Sequence, residues 1–200
     1  MDSPPFVGLT GGIAAGKSEA LAAFERLGAA TLSSDAVAHE LVDAPDVRAR
    51  LIERWGDEVV VEGPDARNRI GAIVFERPEE LAWLESLLHP LVGDRVSEWW
   101  KALPPGMPLA VVEVPLLFET GLDAAFDATV CLVAEDGIRA RRAGHRGTAL
   151  LEGRSGRQLS QEEKAARATH VIRNDGSLAE LQEQVARLMP VLAATARGAA

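Results

Sequence analysis

The run Gly11-Gly12-Ile13-Ala14-Ala15-Gly16-Lys17-Ser18 sets two glycines, a lysine and a hydroxyl at the spacing G-x-x-x-x-G-K-[ST]. Glycine lets a backbone wrap closely enough for several N–H groups to converge on one anion. A helix opening at the lysine adds the positive end of its dipole at the same point. In this pattern the Lys17 ammonium would bridge β- and γ-phosphate oxygens, and the Ser18 hydroxyl would ligate Mg²⁺. The chemistry indicated is the holding of a nucleoside triphosphate by Gly12, Ile13, Ala14, Ala15, Gly16, Lys17, Ser18 and Glu19. The pattern says nothing about what receives a phosphoryl group.

Acceptor chemistry asks for a hydroxyl held in line and often for a carboxylate to take its proton. Asp35 stands just past an expected strand end, where an open α/β sheet opens its ligand crevice. It has a second reading as the cap of a helix starting at Ala36. Glu113 lies inside an apolar run, where an unpaired carboxylate is costly. It would contact Mg²⁺ through water or pair with a neighbour. Glu119 would orient substrate or cap a helix.

Residues 137–157 carry Arg139, Arg141, Arg142, Arg146, Arg154 and Arg157 against the single acid Glu152. A glycine-punctuated basic stretch suits a lid that closes on phosphates. A solvated face and a local RNA contact are the other readings. Arg142 and Arg146 are four apart and share a helix face, whereas Arg139 and Arg141 are expected to point elsewhere, into solvent. His89-Pro90 reads as the end of a helix, where a histidine is favourable for the dipole alone. Arg67 and Arg69 would serve as phosphate contacts or as ordinary surface arginines. Trp55, Trp83, Trp99 and Trp100 read as the core of one lobe, and Cys131 as a small buried hydrophobe.

The elements that must position these groups alternate. Apolar runs predict strands at Phe6–Thr10, Ala29–Leu32, Leu109–Val114, Ala128–Val133 and His170–Ile172. Helical spacing appears at Leu21, Phe24 and Leu27 before Gly28, at Ile138–Arg146, at Gln161–Ala168, and at Leu178, Leu181, Val185 and Leu188. Gly147–Gly156 reads as a loop. Strand–helix alternation gives an α/β fold, a parallel sheet with helices on both faces. The mostly helical stretch 36–105 is too long for one crossover and reads as an inserted lobe, closed by Pro104-Pro105-Gly106-Met107-Pro108. The expected organisation is a nucleotide-binding core of 1–35, 106–137 and 161–200, an insert of 36–105, and a lid of 138–160.

Composition narrows the field further. The 200-residue chain has 21 Lys+Arg against 30 Asp+Glu, a net charge of -9, which opposes general binding to phosphate backbones. One cysteine excludes an internal disulfide framework, and the four histidines make no pair at zinc-ligand spacing. No apolar run approaches the roughly 20 residues that span a bilayer, and Met1–Pro5 lacks a signal pattern. The expectation is a soluble, cytoplasmic protein. Lys17 is one of only three lysines.

The motifs in their order resemble the dephospho-CoA kinase family over about residues 6 to 188. Gly8-Leu9-Thr10-Gly11-Gly12-Ile13 through Ser18 is similar to its opening. Ser33-Ser34-Asp35 with Ala38-His39-Glu40-Leu41-Val42 is similar to its "DAD" segment, and Leu88-His89-Pro90-Leu91-Val92 to its "HP" segment. Pro115-Leu116-Leu117-Phe118-Glu119 resembles "PLLFE". Arg154, Gln158 and Lys164 resemble its "RxxxQ" stretch and following lysine, and Asn174-Asp175-Gly176-Ser177 its "NxGS" turn. The resemblance implies a P-loop kinase that uses ATP and Mg²⁺ to phosphorylate the 3′-hydroxyl of dephospho-CoA. Its implied partners are these small molecules, with neither nucleic acid nor membrane, in a monomer or weak homo-oligomer. By the same resemblance Asp35 takes the acceptor proton, and Arg142, with Arg146 in the lid, meets phosphates. Asn174 lies near adenine, and the insert holds dephospho-CoA, with His89, Leu117 and Glu119 in the substrate site. The chain departs from the family at Ser33, where the first aspartate of "DAD" is usual, and at Gly147, where Arg146 is usually followed by aspartate. Rival readings are a kinase for another nucleotide, a GTPase-like switch (no N-K-x-D segment is present) and a non-catalytic nucleotide-binding module.

Overall fold

The computed structural model describes residues 3–60, 64–144 and 158–195. The chain divides into two compact units, Met1–Ser33 with Trp100–Ala200, and Ser34–Trp99.

The first unit is built on five parallel strands: β1 (Phe6–Gly11), β2 (Ala30–Ser33), β3 (Ala110–Glu113), β4 (Ala128–Val133) and β5 (His170–Arg173). Their order is β2-β3-β1-β4-β5. Every residue of β1 is buried, as expected of a central strand covered on both faces. Its side chains alternate between two packing environments. Val7 and Leu9 join the core formed with helix α1 (Lys17–Arg26) and the C-terminal helix described below. Gly8 and Thr10 face the other way. A Cβ on Gly8 would sit 3.0 Å from Leu117 Cδ2 and 3.1 Å from the Phe126 ring. The Thr10 hydroxyl donates to the Pro115 carbonyl at 3.3 Å. Trp100 closes the start of the sheet, with its ring 5.0 Å from Phe6 and its Nε1–H on the Pro4 carbonyl at 3.1 Å.

The second unit holds α2 (Ser34–Val42), α3 (Pro45–Trp55), α4 (Pro64–Glu76) and most of α5 (Pro78–Lys101). Val37, Leu41, Val47, Leu51, Ile70, Leu84 and Leu88 are its buried residues at helical spacings. Trp55 and Trp83 meet edge-on at 5.1 Å, and the Arg54 guanidinium lies 5.3 Å over Trp83. Arg54 and the Trp55 indole both donate to Glu80, and these hydrogen bonds hold its carboxyl below the usual carboxylate range. After β4 the chain forms α6 (Asp136–Gly144), and then α7 (Gln161–Arg167) before β5 and α8 (Leu178–Ala193) after it.

Three expectations are corrected. His89-Pro90 does not end a helix: α5 runs unbroken through Pro90. A proline inside a helix costs about 3 kcal/mol, but buried Leu84 and Leu88 anchor this 24-residue helix, and Pro90 itself is exposed. The dipole reading of His89 therefore fails, because His89 is mid-helix and exposed. Trp100 is not part of the helical unit, which spans Ser34–Trp99 rather than 36–105. The loop expected at Gly147–Gly156 lies outside the described residues.

Two measurements check this packing. Phe24 is fully buried between α1 and the sheet, so Phe24→Ala is expected to cost about 3–5 kcal/mol in a denaturant titration. A loss below about 1 kcal/mol would contradict the assigned core. Cys131 is buried in β4, and burial pushes its thiol up to about 11. The native protein should therefore resist a thiol reagent at about pH 8 and react once unfolded.

Candidate active site

The sequence puts glycine where the chain must leave β1 at close quarters. Gly11 has φ 150°, and a Cβ there would strike the Leu132 carbonyl of β4. Gly12 N–H donates to that same carbonyl at 3.3 Å, and a Cβ on Gly12 would meet Gln161 Cγ at 2.8 Å. The loop tightens through Ala15 N–H on the Gly12 carbonyl at 3.2 Å, then enters α1 through Gly16 at φ 101°. Ala14 has φ 59°, and among the described residues it is the one non-glycine with positive φ. Helix α1 has no side-chain cap. By contrast α7 and α8 each open with a full capping box, Ser160 with Glu163 and Ser177 with Glu180. The N-terminal N–H groups of α1 are thus left for an anion.

The loop carbonyls are tied from several directions. Lys17 Nζ donates to Gly11 O at 3.3 Å and Gly12 O at 3.1 Å. Arg139 Nε–H donates to Ile13 O at 2.9 Å, and Asn174 Nδ2–H to Ala15 O at 2.8 Å. Asn174 is 5% exposed, and a Cβ on Gly16 would strike its amide. Gln161 is locked by paired hydrogen bonds with the Ala134 N–H and carbonyl at 2.9 and 3.0 Å. It supports Gly12 from below.

Several sequence expectations change here. Arg139 is not a solvated arginine, because it grips the loop. Arg142 donates to Asn174 O at 3.0 Å and Gly176 O at 3.5 Å. Arg146, Arg154 and Arg157 lie outside the described residues. The Asn174 amide is committed to Ala15, so adenine contact by that side chain is not what this geometry offers. Leu117 is 0% exposed and packs on Gly8. Core packing takes its side chain.

Glu119 neither caps a helix nor faces open solvent. It pairs with Lys164 at 3.0 Å, the side chains being 12% and 0% exposed. Its Oε1 also accepts from the Leu159 N–H at 2.8 Å. Lys164 donates to the Pro115 carbonyl at 2.6 Å, the same acceptor that Thr10 uses. A buried charge needs such a partner. Glu113 ends β3 in register with Leu9 and Ser33, and it is half-buried. Asp35 sits in the first turn of α2, exposed. Because α2 begins at Ser34, Asp35 is not the cap of a helix starting at Ala36. His89 is exposed on α5.

Ser18 and Glu19 are exposed on the first turn of α1. Among the described residues no cluster of His, Cys, Asp and Glu could hold a metal by itself. A hard hydroxyl oxygen at the end of a phosphate loop fits Mg²⁺, which keeps waters and takes phosphate oxygens rather than a protein cage. Sequence reasoning missed Arg139, Gln161 and Thr10. The Ser160–Glu163 capping box marks where α7 starts, but no local signal shows that Gln161 will meet Gly12.

The family model for dephospho-CoA kinase (CoaE) matches residues 5–180. A dephospho-CoA kinase of Chlorobaculum tepidum is 38% identical over 191 residues, covering 91% of this chain and 92% of the relative. A crystal structure from Thermus thermophilus superposes with a TM-score of 0.78 at 34% identity, covering 96% of this chain and 99% of that one. Dephospho-CoA kinase from Campylobacter jejuni, at 22% identity, shares the fold with a TM-score of 0.70, covering 94% and 96% of the two chains. The phosphate loop, the parallel sheet that carries it and these likenesses agree: the chain belongs to the dephospho-CoA kinase family.

Proposed function

We propose that this protein transfers the γ-phosphoryl group of ATP to the 3′-hydroxyl of dephospho-CoA, giving coenzyme A and ADP. The observation that carries the reading is the uncapped α1 N-terminus behind a tied phosphate loop, in a chain of this family. The new bond joins the acceptor O3′ to the γ-phosphorus, and the bond to the β–γ bridging oxygen breaks. The hydroxyl proton passes to the Asp35 carboxylate, in the first turn of α2 just past the C-terminal end of β2.

Lys17 leaves its carbonyl partners and meets the β- and γ-phosphates, where charge moves as the bond breaks. The loop N–H groups receive the phosphate oxygens without reorganising. Ser18 would hold Mg²⁺, which supplies further neutralisation of the triphosphate when bound. Arg142 joins them from α6 by leaving the Asn174 and Gly176 carbonyls. The helical unit Ser34–Trp99, with His89 on its surface, is assigned to dephospho-CoA, and the Asn174–Gly176 turn to the adenine end of ATP. Glu119 holds Lys164 and the Leu159 N–H through Oε1, which leaves Oε2 for substrate. No described helix is long and apolar enough to cross a membrane.

The reading is tested by incubating the protein with dephospho-CoA, ATP and Mg²⁺ and identifying coenzyme A by mass. No coenzyme A from folded, ATP-binding protein would overturn it. Lys17→Met should lower kcat/KM by about 10²–10³-fold. Asp35→Asn should lower kcat by about 10²–10⁴-fold with little change in KM for ATP. Wild-type kcat in Asp35→Asn would remove the base and leave the reaction standing. Chelation of Mg²⁺ should abolish turnover, and readdition should restore it.

A further inference from the structure

A trans peptide unit holds its C=O and N–H on opposite sides. Holding the Ile13 carbonyl outward therefore aims the Ala14 N–H inward, and holding the Ala15 carbonyl does the same for Gly16. Both carbonyls are held from outside the loop, by Arg139 Nε and Asn174 Nδ2. The Gly11 and Gly12 carbonyls are held by Lys17, which must let go of them to reach phosphate. The Arg139 and Asn174 contacts are those that can persist when nucleotide binds.

The peptide between Ile13 and Ala14 is also the strained one. Ala14 has φ 59°, a left-handed conformation that an L-residue with a Cβ adopts at a cost of about 1 kcal/mol. Turning this one peptide over by half a turn would carry Ala14 back to negative φ and point its N–H away from the phosphate. Arg139 opposes that turn at the carbonyl. Its guanidinium is aligned by Asp136 Oδ1 at 2.9 Å, and its side chain is 26% exposed. Asn174, by contrast, is buried against Gly16, so removing it would disturb packing as well.

We infer that Arg139 is a positioning residue for the nucleotide: its Nε–H holds the Ile13 carbonyl and so presents the Ala14 N–H to phosphate, and the hydrogen bond rather than the positive charge does the work. The inference rests on the ATP reading above.

The test uses the full-length protein, with ADP binding by calorimetry and steady-state KM for both substrates. Arg139→Met keeps the chain out to the Nε position and removes the donor. Arg139→Gln puts an uncharged donor the same number of bonds from the backbone as the arginine Nε. Arg139→Met should raise the ADP Kd and the KM for ATP about 5- to 10-fold, leave the KM for dephospho-CoA unchanged and leave the ligand-free melting temperature unchanged. Arg139→Gln should return the affinity to within about 2-fold of wild type. In an Ala14→Gly background, where the turned peptide is no longer favoured by strain, the Met effect should differ from that in wild type by more than additivity allows.

Arg139→Gln as weak as Arg139→Met would show that the charge matters and overturn the inference. So would an Arg139→Met affinity equal to wild type, or a loss that merely tracks a lower melting temperature. Wild-type protein that binds no ADP would overturn the ATP reading itself, and the inference with it.

Discussion

The phosphate loop must turn its N–H groups toward an anion and its carbonyls away, and its own Lys17 cannot go on holding those carbonyls once it meets phosphate. Everything else in the first unit is arranged around that requirement. β1 lies in the middle of the sheet so that Gly11 can pass against the Leu132 carbonyl of β4. β5 ends where the Asn174 amide can reach Ala15, and α6 begins where Arg139 can reach Ile13. The loop is therefore held in shape by groups of the protein itself, and binding need not supply the energy of shaping it. The uncapped start of α1 belongs to the same design, since a capping side chain would occupy the N–H groups that the anion needs.

A second polar network lies on the other face of β1. Lys164 is completely buried, pairs with Glu119 and shares the Pro115 carbonyl with Thr10. Buried pairs of this kind add little net stability, but removing one partner strands a charge. Their effect here is geometric. They fix the chain after β3, from Pro115 to Glu119, against β1, and through Leu159 they fix the approach to α7. α7 in turn brings Gln161 under Gly12. Both networks end at the loop, one on the Ile13 and Ala15 carbonyls and the other against Gly12.

Much of this was legible in the sequence wherever the cause was local. The glycine–lysine–serine spacing, the apolar runs of β1, β3 and β4, and the capped starts of α7 and α8 are written in neighbouring residues. The parallel α/β sheet followed from their alternation. What could not be read depends on residues far apart. Arg139 and Ile13 are 126 positions apart, and Asn174 and Ala15 are 159 apart. Arg139 looked solvated because helical phase relates a residue only to its own helix. Leu117 and Glu119 looked like site residues because they sit in a recognisable segment; the fold adds what that segment does not show, that Leu117 packs on Gly8 and that one carboxylate oxygen of Glu119 pairs with Lys164. Pro90 misled for a related reason: a local helix breaker yields when the leucines around it are buried.

The central claim is that the loop is shaped by its outside contacts and that, of the contacts on its carbonyls, only those of Lys17 change on binding. A crystal structure of the protein with ADP tests it most directly. The expected result is a loop backbone displaced by less than about 1 Å. Arg139 would still be bonded to the Ile13 carbonyl and Asn174 to the Ala15 carbonyl, and the Lys17 ammonium would have moved from Gly11 and Gly12 to the phosphate. A loop whose Ile13 or Ala15 carbonyl has turned toward the ligand, with either outside contact broken, would contradict it.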